Sequence, residues 1–512
     1  MILSLFSIIE FLKFVKLFIY FLFLNLLFIV VYYFFYKVSV FNNIYDVFLK
    51  NNLKSILLFI ISVSSWLVFF SVLLLNIFFY NSFNILNNSF LFKIYIVFID
   101  LNTESTLNLF LFSLNKFNIV FFVLFSILFP IIFIIMSNDY NNINLKIYIY
   151  IYTIFILCYL ILFIENLILF YFVYELILIL VFFSMYLTSN SRGSVEATIF
   201  FAGWAVLGSI LLGLGLIILT TLTNSYYFFT LNFNKLTSNE VYYIYLLFFF
   251  GFGVKLSVWP FWYWLPKAHV EVSTGMSIFL SCILIKLSFF SLIRFQNLLL
   301  SENNMFICVF FCFLCCIDIV FRFISLRDLK AIVAYSSILH TNLLIALIHL
   351  DSSKIFKTSI YYIWGHSLAT TSIFIIISVI EMKYGSRNIL FISGLWYNSP
   401  NLCILSIISL ISFLDIPISI FFWGELWLWI VCFNQVFFLV FEVLFLVNIV
   451  FTSIFFKIWW CIFFGAPDNS VKKNVSNNLN YDINSILIFL AALQIILGIQ
   501  PSLLSFISGF YI

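Results

Sequence analysis

The sequence predicts an all-α polytopic membrane protein of about fourteen transmembrane helices, and three observations carry that prediction. Hydrophobic residues make up 65% of the 512-residue chain and charged residues only 9%, against about 25% charged in an ordinary soluble domain. So few charges cannot cover a water-exposed surface. Apolar runs long enough to cross a bilayer, roughly 20 residues each, recur along the chain. Short clusters of Asn, Lys and Ser punctuate these runs and leave no stretch for a soluble domain.

The expected spans are 2–36, 54–80, 117–136, 146–164, 168–188, 195–221, 241–265, 275–298, 305–325, 331–350, 357–380, 401–430, 436–464 and 484–511. The first is longer than one span needs and carries Lys13 and Lys16, which suits a tilted or partly interfacial start. Between Asn81 and Asn115 the apolar piece Phe90–Ile99 is too short to span, so this stretch reads as an extramembrane loop with a surface-lying segment. Loops after odd-numbered spans hold most of the Lys and Arg, including Lys146, Arg192, Lys267, Arg322, Arg327, Lys330, Lys383 and Arg387. The positive-inside rule puts them in the cytoplasm or matrix and both termini opposite.

The formal net charge of +4 is spread along the chain, with no polybasic arm to bind nucleic acid. Among the nine cysteines, the densest group is Cys308, Cys312, Cys315 and Cys316. Its spacing puts three thiols on one helical face, but no C-x-x-C with a neighbouring His accompanies them. They read as small polarisable packing residues. The start, MILSLFSIIE, resembles neither a transit peptide nor a cleavable signal. Abundant Phe, Ile, Asn, Tyr and Lys suit an AT-rich genome, hence synthesis inside an organelle or bacterium.

Six titratable residues fall well inside the spans: Glu175, Lys255, Lys286, His340, His366 and Glu425. A lysine at the bilayer centre costs roughly 2.5–3.5 kcal/mol even on the mildest scale. Each residue alone also reads as a static interhelical pair. Together they alternate acids and bases along one chain, as a proton relay requires, because burial draws the pKa values of acids and lysines toward one another. Two of these spans should be broken. Pro260 cannot donate to the carbonyl of Leu256, one residue past Lys255, and Asp415-Ile416-Pro417 precedes Gly424 and Glu425. Interrupted helices in corresponding halves point to a translocation path.

The spacing also predicts a repeat. Glu175 and His340 are 165 residues apart, Lys255 and Glu425 are 170 apart, and both pairs are separated by five spans. An odd number of helices per unit inverts the second copy. The expected parts are 1–136 with helices 1–3, a first repeat over 137–300, a second, inverted repeat over 301–466, and a last helix in 467–512. His269 and Glu271 follow the seventh span and suit either proton transfer or the interface. Lys330, in FRFISLRDLKAIVAYSS, belongs to a charged loop that anchors a helix start or lines a channel mouth. His349 is expected at the interface, and Glu165 at a loop.

The residues then carry a resemblance. The run KLSVWPFWYWLPKAHVEVSTGMSIFLSCILIKL resembles the signature of the chain 4 family of mitochondrial NADH:ubiquinone oxidoreductase, respiratory complex I. FYFVYELILI, LRDLKAIVAYSSILH, GHSLATTSIF and FWGELW continue it in family order, over about residues 120–465. The resemblance implies fourteen helices with two inverted five-helix repeats, each with one broken helix. It implies a proton-translocating, antiporter-like subunit of an NADH:ubiquinone reductase, with no redox chemistry in this chain. Glu175 and Lys255 would form the pair of the first half-channel, and Lys286 would link it to the centre. His340 and His366 would continue a hydrated axis that ends at Glu425. His269, Glu271 and Lys330 would lie on a secondary proton path.

NADH, FMN, iron–sulfur clusters and ubiquinone are expected in other subunits, and no metal or cofactor in this one. Other complex I membrane subunits, including paralogous chains 2 and 5, and membrane lipids are the expected partners. The implied location is the mitochondrial inner membrane, with an organellar gene. The sequence departs from the family at Trp262, where histidine is usual, and at Val272-Ser273-Thr274. Two other readings stay open at this point, a sodium–proton antiporter subunit and a structural membrane scaffold.

Overall fold

From residue 117 onward the described part of each apolar run is largely helical, in a computed structural model that describes residues 116–139, 145–189, 191–228, 231, 236–299, 306–350, 355–434, 438–466 and 481–504. The expected spans 2–36 and 54–80, and the loop over 81–115, lie outside the described residues. In order the helices are α1 (Lys116–Asp139), α2 (Leu145–Phe163), α3 (Leu167–Thr188), α4 (Arg192–Thr223), α5 (Ser238–Leu256), α6 (Trp264–Glu271), α7 (Thr274–Phe279) and α8 (Ile285–Leu299). They continue as α9 (Phe306–Phe323), α10 (Leu329–Leu350), α11 (Ile355–Tyr384), α12 (Pro400–Phe413), α13 (Ile420–Asn434), α14 (Phe438–Phe464) and α15 (Tyr481–Ile499). Eight described helical segments are long and apolar enough to cross a membrane.

Polar punctuation sets the helix starts. Asn166 caps α3 by accepting from the amides of Ile168 and Leu169 at 2.9 and 3.1 Å. Thr237 and Glu240 form a reciprocal box at the start of α5, and Ser191 and Ser194 do the same for α4. Each box satisfies amides that the first turn leaves without a partner.

Two spans are interrupted where the prolines foretold it, and the exact stops differ. The seventh ends at Leu256, because Ser257 turns left-handed with φ 60° before Pro260 is reached. Helix resumes fully at Trp264. The carbonyls freed there find donors, as a membrane interior demands. Val258 N–H donates to Gly253 O at 2.8 Å, the Trp264 indole to Val254 O at 2.7 Å, and the Asn342 amide to Ser257 O at 3.2 Å. The twelfth span breaks between Phe413 and Ile420, with Asp415 left-handed at φ 56°. A third irregularity had no sequence signal. Between α7 and α8, residues Leu280–Leu284 form a π-helical turn, and the Ile285 amide reaches back to Leu280 O.

Neighbour relations recur between the halves. α4 packs on α5 as α11 packs on α13; α2 packs on α3 as α9 packs on α10; α5 packs on α8 as α13 packs on α14. The first of these relations is close in both halves. A Cβ on Gly251 would meet Leu212 at 2.7 Å, and one on Gly424 would meet the Tyr362 backbone nitrogen at 2.6 Å. Only glycine lets the broken helix approach its partner so closely. α7 and the π-helical turn pack against α11 and bring the halves together.

The four cysteines Cys308, Cys312, Cys315 and Cys316 are buried on α9. Cys315 Sγ sits 3.6 Å from Ser257 O, against the first break.

Candidate functional site

The six intramembrane titratable residues arrive from six helical elements, and the breaks decide where they meet. Lys255 stands in the last turn of α5, just before the chain turns out of helix. Its Nζ lies 3.4 Å from Glu175 Oε1 of α3 and 3.9 Å above the Tyr174 ring. Lys255 is 2% exposed and the Glu175 side chain 24%, so the pair has one dry and one wetter member. The separation is long for a tight ion pair. A small apolar cavity lies at this lysine, lined by Leu178, Phe201, Ala205, Val254, Trp264 and Leu284.

Between the two lysines stand hydroxyl groups. Tyr174, whose ring lies under Lys255, shares a 2.6 Å hydrogen bond with Ser288 Oγ of α8. Lys286 begins the same helix just beyond the π-helical turn. That turn directs its Nζ to Ser281 O at 3.0 Å and to His366 Nδ1 of α11 at 2.7 Å. Among the described residues no carboxylate pairs with Lys286; both partners are neutral acceptors.

From His366 the line continues to His340 of α10, with ring centroids 5.6 Å apart. His340 Nδ1 lies 3.1 Å from the Tyr362 hydroxyl, one turn before His366 on α11. Phe413, Phe421 and Phe451 surround the His340 ring at 5.4, 5.0 and 5.3 Å and exclude bulk water. The Nε2 atoms of both histidines are buried and without a hydrogen-bond partner among the described residues. Glu425, on α13 past the second break, accepts from the Asn448 amide of α14. Tyr362, bonded to His340, stands on α11 where Gly424, the residue before Glu425, packs against its backbone.

The secondary residues fall at one end of the helices. His269 is fully buried, its ring stacked on Phe374 at 5.4 Å, with neither nitrogen bonded among the described residues. Glu271, two residues on, is exposed and lies against Gly193 at the start of α4. Lys330 is buried, donates to Val272 O at 3.1 Å and lies 3.9 Å from Glu381. Arg387 lies 3.6 Å from Asp328 and donates to Val270 O at 2.8 Å. This network ties the loops after the seventh, ninth and eleventh spans together. Trp262, where the family has histidine, is buried with the Arg322 guanidinium 4.6 Å from its ring.

Two residues at helix ends have partners that the sequence did not name. His349 stands in the last turn of α10, at a helix end as expected, and is buried there and bonded to the Tyr245 hydroxyl at 2.7 Å, a partner 104 residues away. Glu165 sits in a loop as expected but is buried rather than solvated, paired with Arg294 at 2.8 Å. Sequence reading missed Tyr174, Ser288, Tyr362 and Asn448. With 28 tyrosines in the chain, nothing local sets Tyr174 and Tyr362 apart.

Comparisons with known proteins place the chain in a family. The family profile for "NADH:quinone oxidoreductase/Mrp antiporter, TM" matches residues 165–452. A NADH-ubiquinone oxidoreductase chain 4 of Paramecium tetraurelia is 30% identical over 370 residues, covering 70% of this chain and 76% of that one. In fold, the chain is similar to a chain of respiratory complex I from Thermus thermophilus, with a TM-score of 0.69 at 18% identity, covering 78% of this chain and 84% of that one. A chain of the Mrp complex from Dietzia also reaches 0.69 at 18% identity, covering 78% and 83%. The chain therefore belongs to the NADH:quinone oxidoreductase/Mrp antiporter transmembrane family, and within it to the chain 4 proteins of NADH-ubiquinone oxidoreductase.

Proposed function

We propose that this chain is a proton-translocating, antiporter-like membrane subunit of NADH:ubiquinone oxidoreductase in the mitochondrial inner membrane, made from an organellar gene. Its partners are other membrane subunits, including the paralogous chains 2 and 5. Redox groups reside elsewhere in the complex, and this chain contributes the proton step of the translocase.

The observation that carries the reading is the line Lys286–His366–His340–Tyr362. A scaffold would offset a buried ammonium with a carboxylate, since an uncompensated buried charge costs several kcal/mol, about 3–5. Lys286 instead meets a histidine nitrogen and a carbonyl, partners suited to passing a proton. Lys286 gives its proton to His366 Nδ1, and the imidazole passes one on from Nε2. The His340 ring stands edge to face beside it, with centroids 5.6 Å apart, and is next in line to take that proton. His340 then hands a proton from Nδ1 to the Tyr362 hydroxyl. Upstream, Lys255 holds its proton while it is close to Glu175 and releases it as the pair separates. His269, Glu271 and Lys330 line a secondary route from the charged end.

The test is purified complex in vesicles with Lys255→Ala or Glu425→Ala. Each should lower the number of protons pumped per electron while the redox centres still accept electrons from NADH. A full ratio after either change sinks the assignment, and a sodium-dependent flux without NADH would favour the antiporter reading.

A further inference from the structure

Cys282 is a buried thiol that the path above leaves out. It lies in the π-helical turn, next to Ser281, whose carbonyl holds the Lys286 ammonium. Its Sγ stands 3.1 Å from Thr370 Oγ1 and 3.5 Å from Ser367 O, both on α11, and 3.3 Å from Ser281 Oγ. The neighbours of the two hydroxyls decide which atom donates. Thr370 Oγ1 lies 2.8 Å from His366 O, and Ser281 Oγ lies 3.0 Å from Ser277 O. A carbonyl only accepts, so each hydroxyl spends its single proton on its own helix and offers the thiol a lone pair. The Cys282 S–H therefore donates to Thr370, and Thr370 donates to the backbone of His366. The register of the two elements agrees. Lys286 meets His366, and the residue one turn before Lys286 meets the residue one turn after His366, as antiparallel helices do along a shared face.

We propose that Cys282 is a positioning residue for the proton step from Lys286 to His366, its thiol tying the π-helical turn through Thr370 to the His366 backbone. Two adjacent residues of the turn then hold the two reacting groups. Ser281 O fixes the lysine, and the Cys282–Thr370 link fixes the helix that carries the histidine. A π-helical turn is rarer than α-helix and needs tertiary contacts to persist. Rewinding it as α-helix would rotate the start of α8 by about a quarter of a turn and carry the ammonium off His366 Nδ1. Proton transfer needs the heavy atoms within hydrogen-bond reach, so loss of the link slows the step without removing either group. The inference rests on the proton-translocating reading and adds to it the contact that sets the central geometry.

Assembled complex in vesicles tests it, with NADH-driven proton pumping and the infrared S–H stretching band, for the parent and for Cys282→Ala, Cys282→Ser, Thr370→Val and Lys286→Met. The band lost in Cys282→Ser belongs to Cys282. It should lie where a hydrogen-bonded thiol absorbs and move to the free-thiol position in Thr370→Val. In the parent it should also shift during turnover, because His366 gains charge one turn from Thr370 in a low-dielectric site, and this shift should vanish in Lys286→Met. Cys282→Ala and Thr370→Val should each slow pumping severalfold, and the double variant no more than either alone. Cys282→Ser keeps a donor and should recover most of the parent rate. Parent-like pumping in Cys282→Ala, with a defect in Lys286→Met, overturns the inference and leaves the translocation reading standing. Parent-like pumping in Lys286→Met overturns both. Losses that add in the double variant, or that serine does not recover, make Cys282 a packing residue and overturn the inference. If Cys282→Ala does not assemble, the parent band decides, because a free-thiol position or a band unmoved by turnover excludes the link.

Discussion

Lys286 separates a relay from a brace more cleanly than any other residue. A structural lysine could be replaced by an apolar side chain of similar length at little cost, since well-packed hydrophobes replace buried charges without loss. Its ammonium donates to His366 Nδ1 and Ser281 O, both of which methionine leaves in place. Lys286→Met should therefore still assemble, at a stability cost of no more than about 1–3 kcal/mol for the acceptors left without a donor, yet lose proton-coupled turnover by at least about tenfold, the low side of what a positioned proton donor contributes. Lys286→Arg should also fail, because guanidinium does not give up a proton. Unimpaired pumping in the methionine variant would make Lys286 a packing residue. At this scale the sequence was informative wherever a charge interrupts an apolar run, as at Glu175 and Lys286. It was silent where the partner is a hydroxyl or an amide among many, as at Tyr362 and Asn448. His349 and Glu165 find partners 104 and 129 residues away, which no local pattern foretells.

At the scale of the element, the breaks place the charges, and each break survives only because its freed carbonyls are satisfied. In the first, the Trp264 indole covers Val254 O and the Asn342 amide covers Ser257 O. Trp264→Phe keeps the ring in place and strips the donor, leaving a buried carbonyl beside Lys255 without a partner. It should cost about 1–3 kcal/mol, read as a lower melting temperature of the complex, together with a changed pH profile of pumping. A shift in neither would mean that the carbonyl finds another donor. In the second, Gly424→Val would drive a branched side chain into the Tyr362 backbone. Overpacking of this kind costs about 1–3 kcal/mol, and here it should separate α13 from α11 and depress the yield of assembled complex. Both interruptions were legible because proline forbids a helical hydrogen bond. The stop itself lies before Pro260, at Ser257, and the π-helical turn before Lys286 arises from packing against α11 with no residue type to announce it.

For the whole molecule, the polar contacts sort the loops into two opposite ends. Lys330 donates to Val272 O, Arg387 donates to Val270 O and pairs with Asp328, and the Ile389 amide donates to Arg327 O, joining the loops after the seventh, ninth and eleventh spans. At the other end Glu165 O accepts from the Phe228 amide, and Arg294 reaches Ile164 O at 2.6 Å, joining loops after the fourth and sixth spans to the end of the eighth. This alternation is what the span map requires, and the excess of Lys and Arg at the odd-loop end gives it a direction. Arg327, exposed at that end, and Tyr226, exposed at the other, make the direction measurable. In a Cys461→Ser background, since Cys461 is an exposed thiol, Arg327→Cys should react with a membrane-impermeant maleimide in inverted inner-membrane vesicles and resist it in intact mitoplasts. Tyr226→Cys should do the reverse. Because the two labels report opposite ends of one bundle, their swap would invert the whole chain. The charged end with Lys330, His269 and Glu271 would then face the opposite side of the membrane, and the secondary route proposed from that end would run the other way.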